Sequence, residues 1–373
     1  MTTMPKSLFA PLEVSTTPDP IVLEYLKAGA AKDAGQEAYL AKLRRDVVTK
    51  PVIYLGMGTC GMGAGVVKVS KAVREYLDAN KKDVEIVEVG CIGMCAFEPM
   101  MDVQMPGKRR LSFMQVSPEN AGEILNGVFA GTVPTANLVG QFRAGPAEAW
   151  ADLPFLDEHP FFKPQLRWVL EYSGIVDPSS IEEYIARGGY KTFLETIRTK
   201  TREVVCDTIE KSGLRGRGGG GFLTGRKWKM ALAQSSDQKY LICNADEGDP
   251  GAFMDRALIE SDPHKMLEGM MIGAYAIGAK DAYVYIRAEY PLAVQRLREA
   301  IARATAYGLI GDNIMGSGFN LQFHIKMGAG AFVCGEETAL MHSIEGRRGM
   351  PRPRPPYPAQ SGLFAKPTVI NNV

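Results

Sequence analysis

From residue 51 onward, short apolar runs closed by glycine or proline alternate with stretches of helical spacing. Val52–Leu55 is continuous and apolar, as a short buried strand would be, and it opens into the glycine-rich turn 56–65. Val66, Val69, Val73 and Tyr76 or Leu77 then fall on one helix face. Val84–Val89 alternates apolar and charged positions, which predicts a second strand. Residues 101–105 and 111–114 read as a hairpin turning at Pro106-Gly107, and 119–129 as a closing helix. Strands and helices in this order predict a small thioredoxin-like α/β domain over residues 49–130.

Residues 1–48 are polar and mixed, with helix predicted between Pro20 and Arg45. Residues 131–160 are rich in Pro, Gly and Ala without periodicity and read as a linker. A second domain is predicted over 161–373. It has helices at 180–186 and 190–199, a strand at 240–243, a buried helix at 264–279, a strand at 282–286 and an amphipathic helix at 292–305. Alternation at Leu321, Phe323 and Ile325 predicts a further strand, and 338–344 a further helix. Strands alternating with helices predict a Rossmann-like α/β sheet. Ligands of such sheets lie beyond the carboxyl ends of strands, where the loops 244–251 and 328–338 fall.

Composition narrows the function classes. Hydrophobic residues make up 46% of the 373 and charged residues 23%, with a formal net charge of +1. Such a balance gives no global field for nucleic acid or an acidic membrane. No apolar run approaches the ~20 residues of a spanning helix, and residues 1–10 show no apolar signal core. The expectation is a cytoplasmic protein with no direct membrane insertion, with docking to a membrane complex left open.

The candidate chemistry sits in four motifs. Gly213-Leu-Arg-Gly-Arg-Gly-Gly-Gly-Gly-Phe222 concentrates glycine, so main-chain N–H groups can form an anion-binding concavity against which a ligand lies directly. Arg215, Arg217 and Lys227 add positive charge, and Phe222 a flat face. A ligand both phosphorylated and planar, a nucleotide, fits that combination. The loop does not end in Gly-Lys-Ser/Thr, so it is no Walker A loop. Its Arg-Gly repeats superficially match an RNA-binding tract, but structured sequence flanks it. Asn244-Ala-Asp-Glu-Gly-Asp249 is acidic and would repel phosphate, so it suits sugar hydroxyls or a ring edge; a Ca²⁺ loop is the alternative. Gly335-Glu-Glu-Thr338 opens a helix, where Glu336 and Glu337 either reach a ligand or only complement the helix dipole. Residues 347–357 are basic and proline-locked, suited to phosphate, adenine or a docking partner. Among the six cysteines, Cys60 and the Cys91-x3-Cys95 pair suggest metal or redox chemistry. Thiol–disulfide chemistry is the lesser reading because the spacing is not C-x-x-C.

These motifs, with Lys366-Pro-Thr-x-Ile-Asn-Asn372, resemble the NADH-binding flavoprotein subunit of respiratory complex I and of related NAD-linked hydrogenases and formate dehydrogenases. The resemblance covers residues 160–373. It implies FMN and NAD(H) as cofactors, hydride transfer between them, and single-electron transfer to iron–sulfur clusters on partner subunits of a hydrogenase, formate dehydrogenase or complex I-like assembly. By motif position, Gly216, Arg217, Gly219 and Lys227 would line the flavin; Asn244, Asp246 and Glu247 would bind its ribityl and ring side. Gly335, Glu336, Asn371 and Asn372 would complete the FMN site, Phe222, Glu337, Arg354 and Tyr357 would face NADH, and Asp249 and Phe332 are further cofactor-binding candidates. Glu247 and Glu337 are the catalytic candidates. The alternative is a flavin-free subunit that docks a redox partner. NADH against NADPH stays open, because the acidic residues 246–249 and Arg354 argue in opposite directions.

This chain departs from the family's pattern at Gly220 for Ala, Leu223 for Pro and Phe332 for a frequent Tyr. More consequential is Gly65. The ferredoxin-type domain of relatives supplies C-x4-C and C-x3-C to a [2Fe–2S] cluster, and here only Cys60, Cys91 and Cys95 match. Either a substitute ligand completes the cluster or the cluster is lost. The resemblance also implies a [4Fe–4S] cluster in a region beyond residue 373 or on a partner.

Overall fold

The structure, a computed structural model, describes residues 17–373 and divides into two compact units. The expectation for residues 1–10 lies outside the described residues. The first unit comprises Ala31–Arg187 with Glu260–Asp262; of the described residues, the second comprises 17–30, Gly188–Ile259 and Pro263–Val373.

The first unit is built on a five-stranded sheet of β1 (Val52–Gly56), β2 (Glu85–Val89), β3 (Met101–Gln104), β4 (Leu111–Phe113) and β5 (Leu138–Gln141), in the order β2-β1-β3-β4-β5. β1 and β2 are parallel and joined through the helices Thr59–Ala64 and Val66–Ala79; the other pairings are antiparallel. Ile53, Leu55, Val69, Val73, Phe113 and Leu125 are buried together between the sheet and its helices. The alternating and helical patterns therefore yield the predicted α/β elements, because each puts its apolar face on one shared core.

Three boundaries differ from expectation. The N-terminal helix is two helices, Pro20–Ala28 and Ala34–Leu43: Gly29 ends the first in the left-handed conformation (φ 77°), and the Asp33 carboxylate starts the second by accepting from the Gln36 N–H. Residues 131–160 are more than a linker, since 138–141 add β5 to the sheet edge. After the first unit, the chain enters the second unit at Gly188, not at 161. Buried charge holds 161–187 to the first unit: Arg110 is paired with Asp102 and donates to the Gly174 carbonyl at 2.7 Å, and Arg45 pairs with Glu183 at 2.6 Å.

The second unit contains a four-stranded, all-parallel sheet of β6 (Tyr240–Ala245), β7 (Asp281–Arg287), β8 (Gln322–Gly328) and β9 (Thr368–Asn372), ordered β8-β7-β6-β9. The chain moves outward from β6 through β7 to β8, then returns to place β9 on the other side of β6. The strand order reverses between β6 and β9, and a ligand crevice opens outside the carboxyl ends of strands at such a point. Ile242, Tyr285, Leu340, Ile344, Leu363 and Ile370 are buried together in this unit. Residues 202–211, 224–232 and 254–261 form helices that the spacing did not predict. Among the described residues no helix is long and apolar enough to cross a membrane.

Candidate functional site

The glycine motif folds as a tight return. The Gly216 N–H donates to the Phe222 carbonyl at 2.8 Å, Thr224 N–H to the Leu214 carbonyl at 2.9 Å, and Arg215 Nη1 to the Gly221 carbonyl at 2.9 Å. Gly219 (φ 93°) and Gly221 (φ 58°) take the left-handed backbone that the turn requires. The return leads directly into the helix Thr224–Leu232.

Beside it lies a cavity of about 730 Å³, within the size range of cofactor sites. Its wall combines the glycine return, Asn244 at the end of β6, and Asn371 and Asn372 at the end of β9; Asn244 is the parallel neighbour of Asn372. The strand ends at the topological switch therefore form the cavity. Lys227 Nζ reaches the Ile370 carbonyl at 2.9 Å, Trp228 Nε1 donates to Asn371 Oδ1 at 3.0 Å, and Asn244 Nδ2 donates to the Gly335 carbonyl at 2.8 Å. These bonds fix four motifs, distant in sequence, around one space. Burial lowers the Lys227 pKa, Glu337 opposes that shift and Arg354 reinforces it.

Of the residues expected at the site, Gly216, Phe222, Lys227, Asn244, Gly335, Glu336, Glu337, Arg354, Tyr357, Asn371 and Asn372 line the cavity. Arg217, Gly219, Asp246, Glu247, Asp249 and Phe332 are not among its lining residues. Arg217 and Asp249 are exposed, as is Phe332 at 69%. Glu247, expected to be catalytic, is turned to the fold: its carboxylate accepts from the N–H groups of Asp255 (3.1 Å) and Arg256 (3.2 Å) at the start of the helix Met254–Ser261. Burial, with the Glu247 charge second, pushes Asp255 up to about 7. Glu336 lines the cavity but spends one oxygen as a helix cap, accepting from Thr338 N–H and Ala339 N–H at 2.9 Å each. Glu337 pairs with Arg354 at 2.5 Å across the cavity wall. Met230, Pro358, Ala359 and Thr368 also line it, and no local signal in the sequence marks them as such.

Asp246 presents a different situation. Both carboxylate oxygens are buried without a hydrogen-bond partner, and burial raises the group's pKa. An added Cβ at the cavity-lining Gly335 would stand 3.6 Å from Asp246 Oδ2, so the unsatisfied oxygens lie next to a lining residue although Asp246 does not itself line the cavity. Buried polar groups ordinarily find partners, and here a hydroxylated ligand would provide them.

In the first unit the sulfurs of Cys60, Cys91 and Cys95 all lie within 4.8 Å of one another. Cys60 stands in the first turn of the helix Thr59–Ala64, whose N-terminus is capped by the Glu260 carboxylate, belonging to the same unit, through the Thr59 N–H at 2.9 Å. Gly93 (φ 99°) turns the 91–95 loop back so that its N–H donates to Cys91 Sγ at 3.2 Å, and Cys91 and Cys95 stand 3.6 Å apart. A hydrogen bond with Cys60 and burial push the Cys91 thiol up; burial pushes Cys95 up to about 11 and Glu98 up to about 7. Cys206 and Cys243 are buried in the other unit. The set does not fit a [2Fe–2S] cluster with four protein thiolates: Gly65 closes the helix in the left-handed conformation (φ 103°) and offers no side chain at the expected position.

Comparison with known proteins agrees with the second unit's geometry. Residues 209–373 match the Nuo51 FMN-binding domain. The chain is 58% identical over 211 residues to the NADP-reducing hydrogenase subunit HndC of Solidesulfovibrio fructosivorans, covering 57% of this chain and 43% of that one. It is 54% identical over 194 residues to an NADH-quinone oxidoreductase subunit of Aquifex aeolicus, covering 52% and 45%. The chain thus spans less than half the length of these curated relatives. Among solved structures, an NAD⁺-reducing [NiFe]-hydrogenase in the H2-reduced state matches 95% of this chain and 57% of its own at 25% identity and a TM-score of 0.45. The match to the Nuo51 FMN-binding domain thus covers residues 209–373, the part of the chain that contains every residue lining the cavity.

Proposed function

We propose that the chain is the NADH-oxidising, or in reverse NAD-reducing, flavoprotein subunit of a multisubunit oxidoreductase, with FMN and the nicotinamide nucleotide sharing the cavity of the second unit. The observation that carries this reading is the meeting of the glycine return, Asn244, Gly335, Arg354 and the Asn371-Asn372 strand end around one space of about 730 Å³. Two features support FMN as its occupant. The glycine return leaves the wall free of side chains at Gly216, Gly218 and Gly220, and an added Cβ at Gly218 would already stand 3.3 Å from Asn372 Oδ1. The buried, partnerless Asp246 carboxylate suits the hydroxyls of a ribityl chain.

When bound, FMN supplies the exchange between two-electron hydride chemistry and single-electron transfer. The chain's own part is binding, orientation and charge. Lys227, anchored on the Ile370 carbonyl, keeps a cation inside the wall. Phe222 and Tyr357 offer flat faces for an aromatic base or ring. The Glu337–Arg354 pair lets one carboxylate and one guanidinium address hydroxyl and phosphate groups without a net charge. Electrons leave to partners of the iron–sulfur type, in a hydrogenase, formate dehydrogenase or complex I-like assembly, and a [4Fe–4S] cluster is expected there or in a further part of the protein.

The test is spectroscopic. The full chain, incubated with FMN and desalted, retains about one FMN per chain, and anaerobic NADH bleaches its flavin absorbance. Failure to retain FMN sinks the reading and favours a flavin-free docking subunit. Retention without bleaching removes the dehydrogenase activity but keeps the cofactor site.

A further inference from the structure

We propose that Cys60, Cys91 and Cys95 form a site for a single thiophilic metal ion, zinc in the first instance, held by three thiolates with the fourth position left to water.

The sulfur geometry carries the assignment. In a tetrahedral zinc–thiolate site with Zn–S near 2.3 Å, neighbouring sulfurs stand about 3.8 Å apart. Cys91 and Cys95 are 3.6 Å apart, and the Cys60 sulfur lies within 4.8 Å of both. Three sulfurs that close together occupy three corners around one ion. A two-iron cluster needs its thiolates in two pairs at opposite ends, with both irons and the bridging sulfides between the pairs. Here Cys60 is not set apart from the 91–95 pair, and position 65, where a second thiol would accompany it, is glycine.

The positions are fixed by the fold. Cys60 sits at a helix start capped by the Glu260 carboxylate, and Cys91 and Cys95 flank the left-handed turn at Gly93. The Gly93 N–H aimed at Cys91 Sγ suits a sulfur carrying negative charge. Soft thiolate donors select zinc or monovalent copper over oxygen-seeking cations. On binding, each thiol gives its proton to solvent and each sulfur forms one bond to the ion, with no change of oxidation state. The ion would tie the helix Thr59–Ala64 to the 91–95 loop, as structural zinc ties loops elsewhere.

The experiment uses the full chain prepared anaerobically with reductant. Metals and acid-labile sulfide are counted, and X-ray absorption at the zinc edge reads the ligands. The expected result is one zinc per chain, about three sulfur neighbours and no sulfide. Cys95→Ser, at a partly exposed position, should weaken zinc binding by about tenfold or more, while Cys206→Ser, in the other unit, should leave it unchanged. Circular dichroism of each variant separates loss of the site from loss of the fold; Cys60→Ser replaces Cys95→Ser if the latter misfolds. Two irons and two sulfides per chain after reconstitution with iron and sulfide would overturn the proposal. So would zinc binding that is indifferent to both substitutions, or a Cys91–Cys95 disulfide that persists under reductant with no zinc taken up.

Discussion

The cavity of the second unit and the thiol cluster of the first are built from different materials. The cavity combines glycine backbone at 216, 218, 220, 221 and 335 with side chains from strand ends and loops, several of them already bonded to the protein. The thiol cluster is made of three side chains on two segments. Substitution should therefore act unequally in the two places. Gly220 lies in a return that main-chain hydrogen bonds close, whereas each of the three sulfurs belongs to a side chain that no neighbour replaces.

The largest effect that could break this contrast is at Asp246, which does not line the cavity but has both carboxylate oxygens unsatisfied beside the cavity-lining Gly335. Asp246→Ala should weaken FMN binding about tenfold to a hundredfold, since a hydrogen bond to a charged group contributes roughly 1.5–3 kcal/mol. The same variant should make the FMN-free chain more stable, because a buried carboxylate without partners is removed. Titration of FMN and urea unfolding read the opposite signs; unchanged affinity would leave the cavity entirely to the backbone.

Next in size, Gly225→Ala separates glycine needed for packing from glycine needed by a ligand. Its Cβ would lie 2.2 Å from the Glu210 main-chain nitrogen, at the contact of the helices Arg202–Lys211 and Thr224–Leu232. Destabilisation of about 1–3 kcal/mol is expected in thermal or urea unfolding.

A third prediction concerns the acidic motif. Asp255 carries a folded-state pKa of about 7, raised above its unfolded value of 3.8 by burial and then by Glu247. Between those values the folded chain holds more protons than the unfolded one, so this group's contribution to stability falls as pH rises, by at most roughly 1.4 kcal/mol per pH unit. Asp255→Asn should flatten the stability profile between pH 4 and 7. An unchanged profile would show that the carboxyl titrates normally.

The smallest effects are gains. Gly220 is not in the left-handed region and an added Cβ meets nothing within 4 Å, so Gly220→Ala should stabilise by about 0.4–1 kcal/mol through the unfolded chain. Leu223 already has φ −62°, a proline angle, and Leu223→Pro should act alike. Destabilisation by either would mean that the return is less tolerant than its backbone suggests.

Much of the fold was legible because each element satisfies a local period. The helix Val66–Ala79, the hairpin of β3 and β4, and strands β6, β7 and β8 all carry the predicted alternation or helical spacing. Less legible were β5, whose four residues look like linker, and β9, whose Asn371 and Asn372 are polar. Both strands are fixed by a partner far along the chain and not by their own pattern. At the site, the motifs brought together Asn244, Gly335, Glu337, Arg354 and Asn372, yet the acidic run 246–249 gave no sign that Glu247 faces a helix start while Asp246 stays unpaired.

The sequence by itself determined the type of the strongly periodic elements and the kinds of chemistry on offer: glycine-rich turns for an anionic planar ligand, and three thiols, Cys60, Cys91 and Cys95, in the first unit. These follow from local sterics and from the donors each side chain carries. Tertiary structure alone decided which carboxylates meet the cavity, that β9 returns beside β6 to open the crevice, and that three sulfurs converge on one point. Those outcomes depend on burial and on pairing between distant segments, which no local period encodes.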